Sequence, residues 1–286
     1  MPDRQTLGRE FGKAAFGVVL TLALIYAGLC WLFWVYEPAF VFARVPRPPI
    51  SPESAGLQGF SEVRIPTEDG GQLYGWWGPP RAGRGAVVLL TGTGVTVSDY
   101  GWLMADFAAQ GFGVLGIDYR GNGASPGTVS EAAWRADARA AYDFVHAAAP
   151  RAKIAAYGQS MGTGFAVMLA LDRPAVGVLL DSPYASVVRL FERGGIPLAR
   201  GVPLPARLLM NNPVDAEAVI GQLRVPVLIL HGTEDRVILL EDARRLYAAA
   251  REPKELIEVE GAGHASVWFG AARDRALAAL AKWTAP

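Results

Sequence analysis

From residue 86 onward, short apolar runs alternate with longer helix-like segments, and this alternation is the strongest constraint on the fold. The runs GAVVLLTG, FGVLGIDYRG, KIAAYG, AVGVLLDS, VPVLILHG and ELIEVEG have the length and composition of strands. Segments such as SDYGWLMADFAAQG, with Ser98 or Asp99 as its predicted N-cap, and EDARRLYAAA separate them as helices. Strands that alternate with helices of this length form a mostly parallel, twisted sheet with helices on both faces. The predicted fold class is therefore α/β.

A hairpin is predicted ahead of this alternation. In FSEVRIPTEDGGQLYGWW, the apolar positions alternate up to a turn at Asp69–Gly71 and resume at Leu73.

Residues 14–36, AAFGVVLTLALIYAGLCWLFWVY, contain no charged side chain. As a helix this run would be about 34 Å long, enough to cross a hydrocarbon core of roughly 30 Å. Trp31, Trp34 and Tyr36 crowd its far end, where aromatic side chains favour the membrane interface. One alternative is a cleaved signal peptide, but the run is too long and lacks a clear small-residue cleavage site. The other is a buried core helix, and the length of the run argues against it as well. The run therefore predicts one transmembrane helix.

Positive charges indicate how this helix would be oriented. Arg4, Arg9 and Lys13 precede it, so residues 1–13 are predicted to be a cytoplasmic flank, with the main domain on the outer side. Arg44 and Arg47 follow the run and work against this asymmetry.

Residues 37–56 are predicted to be a stiff, exposed spacer because VPRPPISPESAG is rich in proline and serine. The α/β domain then occupies residues 57–286. Its sizeable insertion, at about 187–224, is too short for a large lid and predicts a small helical cap.

Composition narrows the function classes. The 286 residues carry no formal net charge, which gives no electrostatic reason to expect nucleic acid as a partner. The single cysteine, Cys30, cannot form an internal disulfide. Acid–base chemistry by histidine has three candidates, His146, His231 and His264.

Ser160 is the candidate nucleophile. In YGQSMG it lies between Gly158 and Gly162, after the strand-like KIAAY and before a helix, which is the context that a G-x-S-x-G nucleophile turn requires. The alternative is a glycine-rich turn with an N-capping serine. The Met161 N–H, at the start of that helix, and the Thr93 N–H, in the loop TGTG, are the predicted oxyanion donors.

A serine hydroxyl needs a base, and that base needs an orienting carboxylate. His264, in the loop after the last strand, is the predicted base, while His231 and His146 are interpreted as packing and surface residues. Asp235, in HGTED, is the predicted acid, in the chain order Ser, acid, His. Asp181, in LLDSPY, is the main competitor, and the adjacent Glu234 is a weaker one.

The segments LLTGTG, DYRGNGASPG, YGQSMG, DSPYAS, VPVLILHGTEDRVI and GAGH resemble those of α/β-hydrolases from residue 60 onward. More narrowly, the chain is similar to small-lid, membrane-anchored hydrolases described as lysophospholipase-like or serine-aminopeptidase-like. The resemblance implies that Ser160 is the nucleophile, Asp235 the acid and His264 the base. Asp118 and Arg120 fall in a structural signature that orders a loop. The chain departs from the family at Thr91, where members usually carry histidine before glycine.

Together these features predict a membrane-tethered serine hydrolase of acyl esters or thioesters that needs no metal or organic cofactor. The predicted partners are a small-molecule or lipid acyl substrate and the membrane, with the oligomeric state left open. A peptidase or amidase on the same residues is one alternative, and a catalytically silent binding protein of this fold is another. Candidate residues for an apolar acyl pocket, or simply for core packing, are Pro197, Leu198, Val202, Leu204, Leu208, Leu209, Trp268 and Phe269.

Overall fold

The computed structural model describes residues 4–196, 199–200 and 203–285. Its centre is an eight-stranded sheet with the strand order β1-β2-β4-β3-β5-β6-β9-β10. The strands of this sheet are β1 (Ser61–Pro66), β2 (Gln72–Gly78), β3 (Ala86–Leu90), β4 (Gly113–Asp118), β5 (Ile154–Gln159), β6 (Val178–Asp181), β9 (Val227–Gly232) and β10 (Lys254–Val259). β1 pairs with β2 and β2 with β4 in antiparallel fashion, and every other pairing is parallel. This confirms the predicted hairpin and the mostly parallel sheet.

Helices cover both faces of the sheet. The longer ones are α1 (Arg4–Val41), α2 (Gly101–Ala109), α3 (Glu131–Ala148), α4 (Met161–Asp172), α8 (Leu240–Ala249) and α9 (Gly270–Trp283). The predicted cap region holds short elements: α5 (Val187–Gly194), the strand pair β7 (Gly195–Ile196) and β8 (Ala199–Arg200), α6 (Ala206–Leu209) and α7 (Ala216–Ile220).

Alternating side chains of β3 feed two core clusters, one on each face of the sheet. Val88 packs in the cluster that includes Trp134 of α3, and Val87 packs in the cluster that includes Phe107 of α2. Because both faces are covered, every residue of β3 and β4 is buried. The continuous apolar runs in the sequence arise from this arrangement.

α1 is longer than the predicted span of residues 14–36, and its last turns pack against the domain. Residues 8–28 are exposed, whereas Phe33 is buried against Val188 and Leu204 of the cap region. Glu37 is completely buried and accepts hydrogen bonds from the backbone N–H of Asn212 at 2.9 Å and from its side-chain amide at 2.6 Å. The helix is apolar and long enough to cross a membrane, with a mean hydropathy of 2.3 over its apolar part.

The segment after α1 lies along the surface of the α/β domain. The Ala43 carbonyl accepts from Gly94 N–H at 3.0 Å, Arg44 donates to the Gly121 carbonyl, and Val45 N–H donates to Asn122. In a free-standing spacer, water would form these hydrogen bonds. Here the domain forms them, so residues 43–45 are held on its surface. The division into spacer and domain at residue 56 stays a prediction.

Candidate active site

Ser160 has a backbone conformation that residues other than glycine rarely adopt. It joins β5 to α4 with φ +51° and ψ −119°. A Cβ on Gly158 would collide with the Gly162 carbonyl, and a Cβ on Gly162 would collide with the Leu90 carbonyl. The Ser160 N–H donates to the Asp181 carbonyl at 2.9 Å, which fixes the turn to β6. Tight packing therefore explains both glycines of the pattern.

His264 connects Ser160 to Asp235. Its Nε2 lies 3.0 Å from Ser160 Oγ, and its Nδ1 lies 2.7 Å from Asp235 Oδ2. The three residues come from loops at the carboxyl ends of β5, β9 and β10, which meet at one edge of the sheet. The structure thus brings together all three side chains that the sequence singled out.

Asp235 is held as an orienting carboxylate. Its Oδ1 accepts from the N–H groups of Val237 at 2.8 Å and Ile238 at 2.9 Å. Burial would raise the pKa of Asp235, but the hydrogen bonds from His264 and from the Ile238 N–H outweigh it and hold the pKa below its usual value. An ionised carboxylate can only accept, so His264 carries its proton on Nδ1 and leaves Nε2 to accept from the Ser160 hydroxyl.

Asp181, the competing acid, faces other partners. Its Oδ2 accepts from the Tyr157 hydroxyl at 2.7 Å, and its Oδ1 lies 3.0 Å from Ser182 Oγ. Ser182 Oγ also lies 2.9 Å from the backbone oxygen of His264. Burial raises the pKa of Asp181 to about 6. Asp181 therefore bonds Tyr157 and Ser182 and not the His264 ring, although it lines the first cavity described below, and it supports the His264 loop through Ser182. Glu234 is exposed.

The other two histidines occupy the positions expected of packing and surface residues. His231 is completely buried, with Nε2 3.0 Å from the Ile238 carbonyl and 3.4 Å from Asp235 Oδ2. Burial lowers the pKa of His231, which favours a neutral ring beside the carboxylate. His146 is exposed on α3.

The two predicted oxyanion donors belong to residues close to Ser160. Met161 is the first residue of α4, where backbone N–H groups have no partner within the helix. Thr93 lines the same two cavities as Ser160. Thr91, the departure from the family pattern, is completely buried.

Tyr100, which the sequence did not single out, connects the Thr93 loop to the turn that carries Ser160. The Tyr100 hydroxyl accepts from Gly92 N–H at 3.1 Å and donates to Gln159 Oε1 at 2.6 Å. Gln159 directly precedes Ser160 in the pattern GQSMG, but no local signal links it to a tyrosine 59 positions away.

Asp118 and Arg120 order the loop that follows β4. Asp118 accepts from Val97 N–H at 2.7 Å and from Ala124 N–H at 3.0 Å. Arg120 donates to Asp137 at 2.7 Å and also pairs with Asp69.

Two cavities meet at Ser160. The first, of about 560 Å³, is lined by His264 and by the aromatic side chains Tyr100, Trp102, Trp268 and Phe269. The second cavity, of about 800 Å³, is lined by Phe40 and Val41 of α1, by α5, and by residues 236–239.

Three of the six candidate acyl-pocket residues in the cap are described, and none of the three lines the cavities at Ser160. Leu204 and Leu209 pack in the cluster around Phe33 of α1, and Leu208 is exposed. Pro197, Leu198 and Val202 lie outside the described residues. Within the described part of the chain, no group of three His, Cys, Asp or Glu side chains is placed to hold a metal ion.

Known proteins resemble this chain in sequence. Residues 81–209 match the family model described as "Serine aminopeptidase, S33". The chain is 33% identical over 254 residues to the uncharacterized protein Rv2307c of Mycobacterium tuberculosis, covering 87% of this chain and 88% of that protein.

Solved structures share the fold. An esterase of Pyrococcus furiosus, Pf2001, superposes with a TM-score of 0.67 at 19% identity, covering 85% of this chain and 97% of the esterase. A monoacylglycerol lipase of Paleococcus ferrophilus superposes with a TM-score of 0.57 at 24% identity, covering 74% of this chain and 99% of the lipase. The human alpha/beta hydrolase domain-containing protein 17B is 32% identical to this chain over 157 residues, covering 54% of this chain and 51% of that protein. From the family-model match, this relative and the fold, the chain belongs to the α/β-hydrolase superfamily.

Proposed function

We propose that this protein is a membrane-anchored serine hydrolase that cleaves carboxylic esters or thioesters of lipophilic acyl groups. The observation that carries the proposal is the position of the His264 ring, within hydrogen-bond distance of both Ser160 Oγ and Asp235 Oδ2. Membership of the α/β-hydrolase superfamily supports hydrolysis as the reaction class.

In the proposed mechanism, Ser160 Oγ attacks the acyl carbonyl carbon while His264 Nε2 takes the hydroxyl proton. The N–H groups of Met161 and Thr93 stabilise the negative charge that develops on the carbonyl oxygen. The leaving alcohol or thiol receives the proton from His264, and an acyl-enzyme remains on Ser160. His264 then takes a proton from water, which attacks the acyl carbon. The bond from that carbon to Ser160 Oγ breaks, His264 returns the proton to Ser160 Oγ, and the acid leaves.

The two cavities support a lipophilic acyl substrate. In the second cavity, Phe40, Val41 and Phe191 form an apolar wall that suits an acyl chain, while Arg193 and Arg236 also line it. Ser160 lies where this cavity meets the first. The printed names of the two fold relatives, an esterase and a monoacylglycerol lipase, agree with ester chemistry.

A peptidase or amidase is the second candidate, because the matching family model is described as a serine aminopeptidase.

The test of the proposed function is labelling of the full chain, in detergent, with a fluorophosphonate. Labelling that Ser160→Ala abolishes supports a serine hydrolase, and folded protein that stays unlabelled supports a catalytically silent binding protein. Nitrophenyl esters of graded chain length, compared with aminoacyl nitroanilides, then separate an esterase from a peptidase.

We also propose that α1 spans the membrane, with residues 1–13 in the cytoplasm and the hydrolase domain on the outer side. Supporting features are the uncharged run at residues 14–36 and the basic residues before it. An Arg151→Cys variant that also carries Cys30→Ala tests the orientation, because Cys30 is the chain's only cysteine. A membrane-impermeant maleimide should label position 151 in spheroplasts, and labelling only after lysis would reverse the orientation.

A further inference from the structure

We propose, on the basis of the function proposed above, that the domain face around the two cavity openings is a membrane-contact surface. α1 holds this surface against the bilayer, so that the ester reaches Ser160 from the lipid phase. The surface is defined by Trp102, Leu208, Val237, Leu239 and Phe269.

These five side chains account for nearly all the exposed large apolar residues described outside α1, the other being Ile50. Trp102 and Phe269 line the first cavity, and their rings stack with centroids 6.4 Å apart. Val237 and Leu239 line the second cavity. Exposed apolar side chains that cluster around one site indicate a binding surface, whereas single scattered ones do not.

Leu208 lies beside the contact between α6 and α1, whose cluster shares Phe40 and Phe191 with the second cavity. It is 86% exposed on α6, while its neighbour Leu209 packs in the cluster around Phe33 of α1. Val237, at 68% exposure, is also far more accessible than an ordinary apolar side chain of this domain.

The contacts between α1 and the cap set the depth of this face in the membrane. The Tyr26 hydroxyl donates to the Pro203 carbonyl at 2.9 Å, and the ring of Phe33 lies 5.2 Å from that of Phe191. Tyr26 is about 15 Å along the helix from Tyr36, the end of the uncharged run. Because the cap region is hydrogen-bonded to Tyr26, it must contact the bilayer if residues 14–36 span the membrane.

The buried hydrogen bonds that Asn212 donates to Glu37 fix the C-terminal end of α1 to the domain. Phe40 and Val41, the next apolar residues of α1, line the second cavity. The helix that anchors the protein is therefore also a wall of the cavity at Ser160. A lipid ester can move from the bilayer along this wall without crossing water.

Depth-dependent quenching tests the surface directly. Single cysteines at Leu208 and Val237, in a Cys30→Ala background, are labelled with bimane in the full chain and reconstituted in phosphatidylcholine vesicles that contain doxyl-labelled lipid. The matched control is Arg151→Cys, which precedes β5 at the opposite end from Ser160. We expect severalfold stronger quenching at positions 208 and 237 than at position 151. Equal quenching at all three positions would overturn the proposal.

This readout does not depend on catalysis. If bimane is quenched at positions 208 and 237 but fluorophosphonate labelling fails, the membrane-contact surface stands and the proposed function falls. If labelling succeeds and quenching matches position 151, the hydrolase stands and the surface falls.

A second test compares Leu208→Asp with Ile50→Asp, both at exposed apolar positions. Hydrolysis of a water-soluble nitrophenyl ester in detergent should stay unchanged in both variants, which also reports correct folding. On a long-chain ester embedded in vesicles, Leu208→Asp should lose roughly fivefold in rate, equivalent to about 1 kcal/mol, and Ile50→Asp should lose nothing. Equal rates for the two variants on the embedded ester would contradict the membrane-contact surface.

Discussion

The Tyr100 hydroxyl bridges Gly92 N–H and Gln159 Oε1 and thereby ties the loop after β3 to the turn that carries Ser160. The predicted oxyanion donors, Thr93 N–H and Met161 N–H, come from these two segments. Tyr100 is the side chain that links the two segments to each other, while the Ala43 carbonyl also holds the loop through Gly94 N–H. The family's usual histidine is absent here, and Thr91 in its place is buried, so Tyr100 acts as the positioning residue for the loop.

Tyr100→Phe should therefore lower kcat roughly tenfold and leave KM nearly unchanged, because a misplaced donor weakens only the transition state. The measurement is steady-state hydrolysis of a nitrophenyl ester. Tyr142→Phe is the matched control, since the Tyr142 hydroxyl donates to the Pro174 carbonyl away from the site. A Tyr100→Phe enzyme with unchanged kcat would contradict the positioning role.

Asp235→Asn should reduce kcat by about 10⁴, because the amide stabilises the wrong tautomer of His264. Asp181→Asn should cost less than about tenfold, since Asp181 bonds Tyr157 and supports the His264 loop only through Ser182. The comparison of kcat between the two variants checks the assignment of the acid. A greater loss for Asp181→Asn would reverse it.

Asp181 should make stability depend on pH. Burial raises its pKa to about 6 in the folded protein, above an unfolded value of about 3.9. Its contribution to stability is therefore complete below about pH 4 and is lost as the pH rises through about 6. Between pH 5 and 7.5 the loss is about 1 kcal/mol, or a few degrees in Tm.

Thermal unfolding in detergent measures this effect. The fall in Tm from pH 5 to 7.5 should be a few degrees larger in the natural protein than in Asp181→Asn, which cannot ionise at that position. Equal pH dependence in the two proteins would show that Asp181 does not titrate in this range.

Gly162→Ala should destabilise the protein by about 2 kcal/mol, because the added Cβ collides with the Leu90 carbonyl. The measurement is Tm in detergent, with an expected fall of roughly 5 °C. Gly194→Ala, where an added Cβ meets nothing within 4 Å, is the control and should keep its Tm. Similar Tm values for the two variants would remove the packing explanation for Gly162.

The sheet and the three site side chains were predictable because local patterns encode them. Buried strands are recognisable as apolar runs, and Ser160 and Asp235 each follow such a run. His264 follows β10, a half-buried strand at the sheet edge, and the parallel sheet brings all three residues to one end of its strands. The Tyr100 bridge and the burial of Glu37 against Asn212 depend on contacts between distant segments. No local pattern records such contacts.

The start of α2 shows the same limit on a shorter scale. The sequence suggests Ser98 or Asp99 as the N-cap. In the structure a 3₁₀ turn from Val97 to Tyr100 precedes α2, and Thr96 is the N-cap of that turn. Asp99 accepts from the Thr96 N–H at 2.8 Å, so the capping group lies after the cap residue. Two acceptable caps within one turn cannot be separated by residue type alone.

The second-order rate of fluorophosphonate labelling at Ser160, in His264→Ala beside His146→Ala, tests the central claim most directly. Loss of the base should slow labelling by about 10³-fold or more, while removal of the exposed His146 ring should leave the rate unchanged. Labelling of His264→Ala at the rate of the natural protein would contradict the assignment of His264 as the base that activates Ser160.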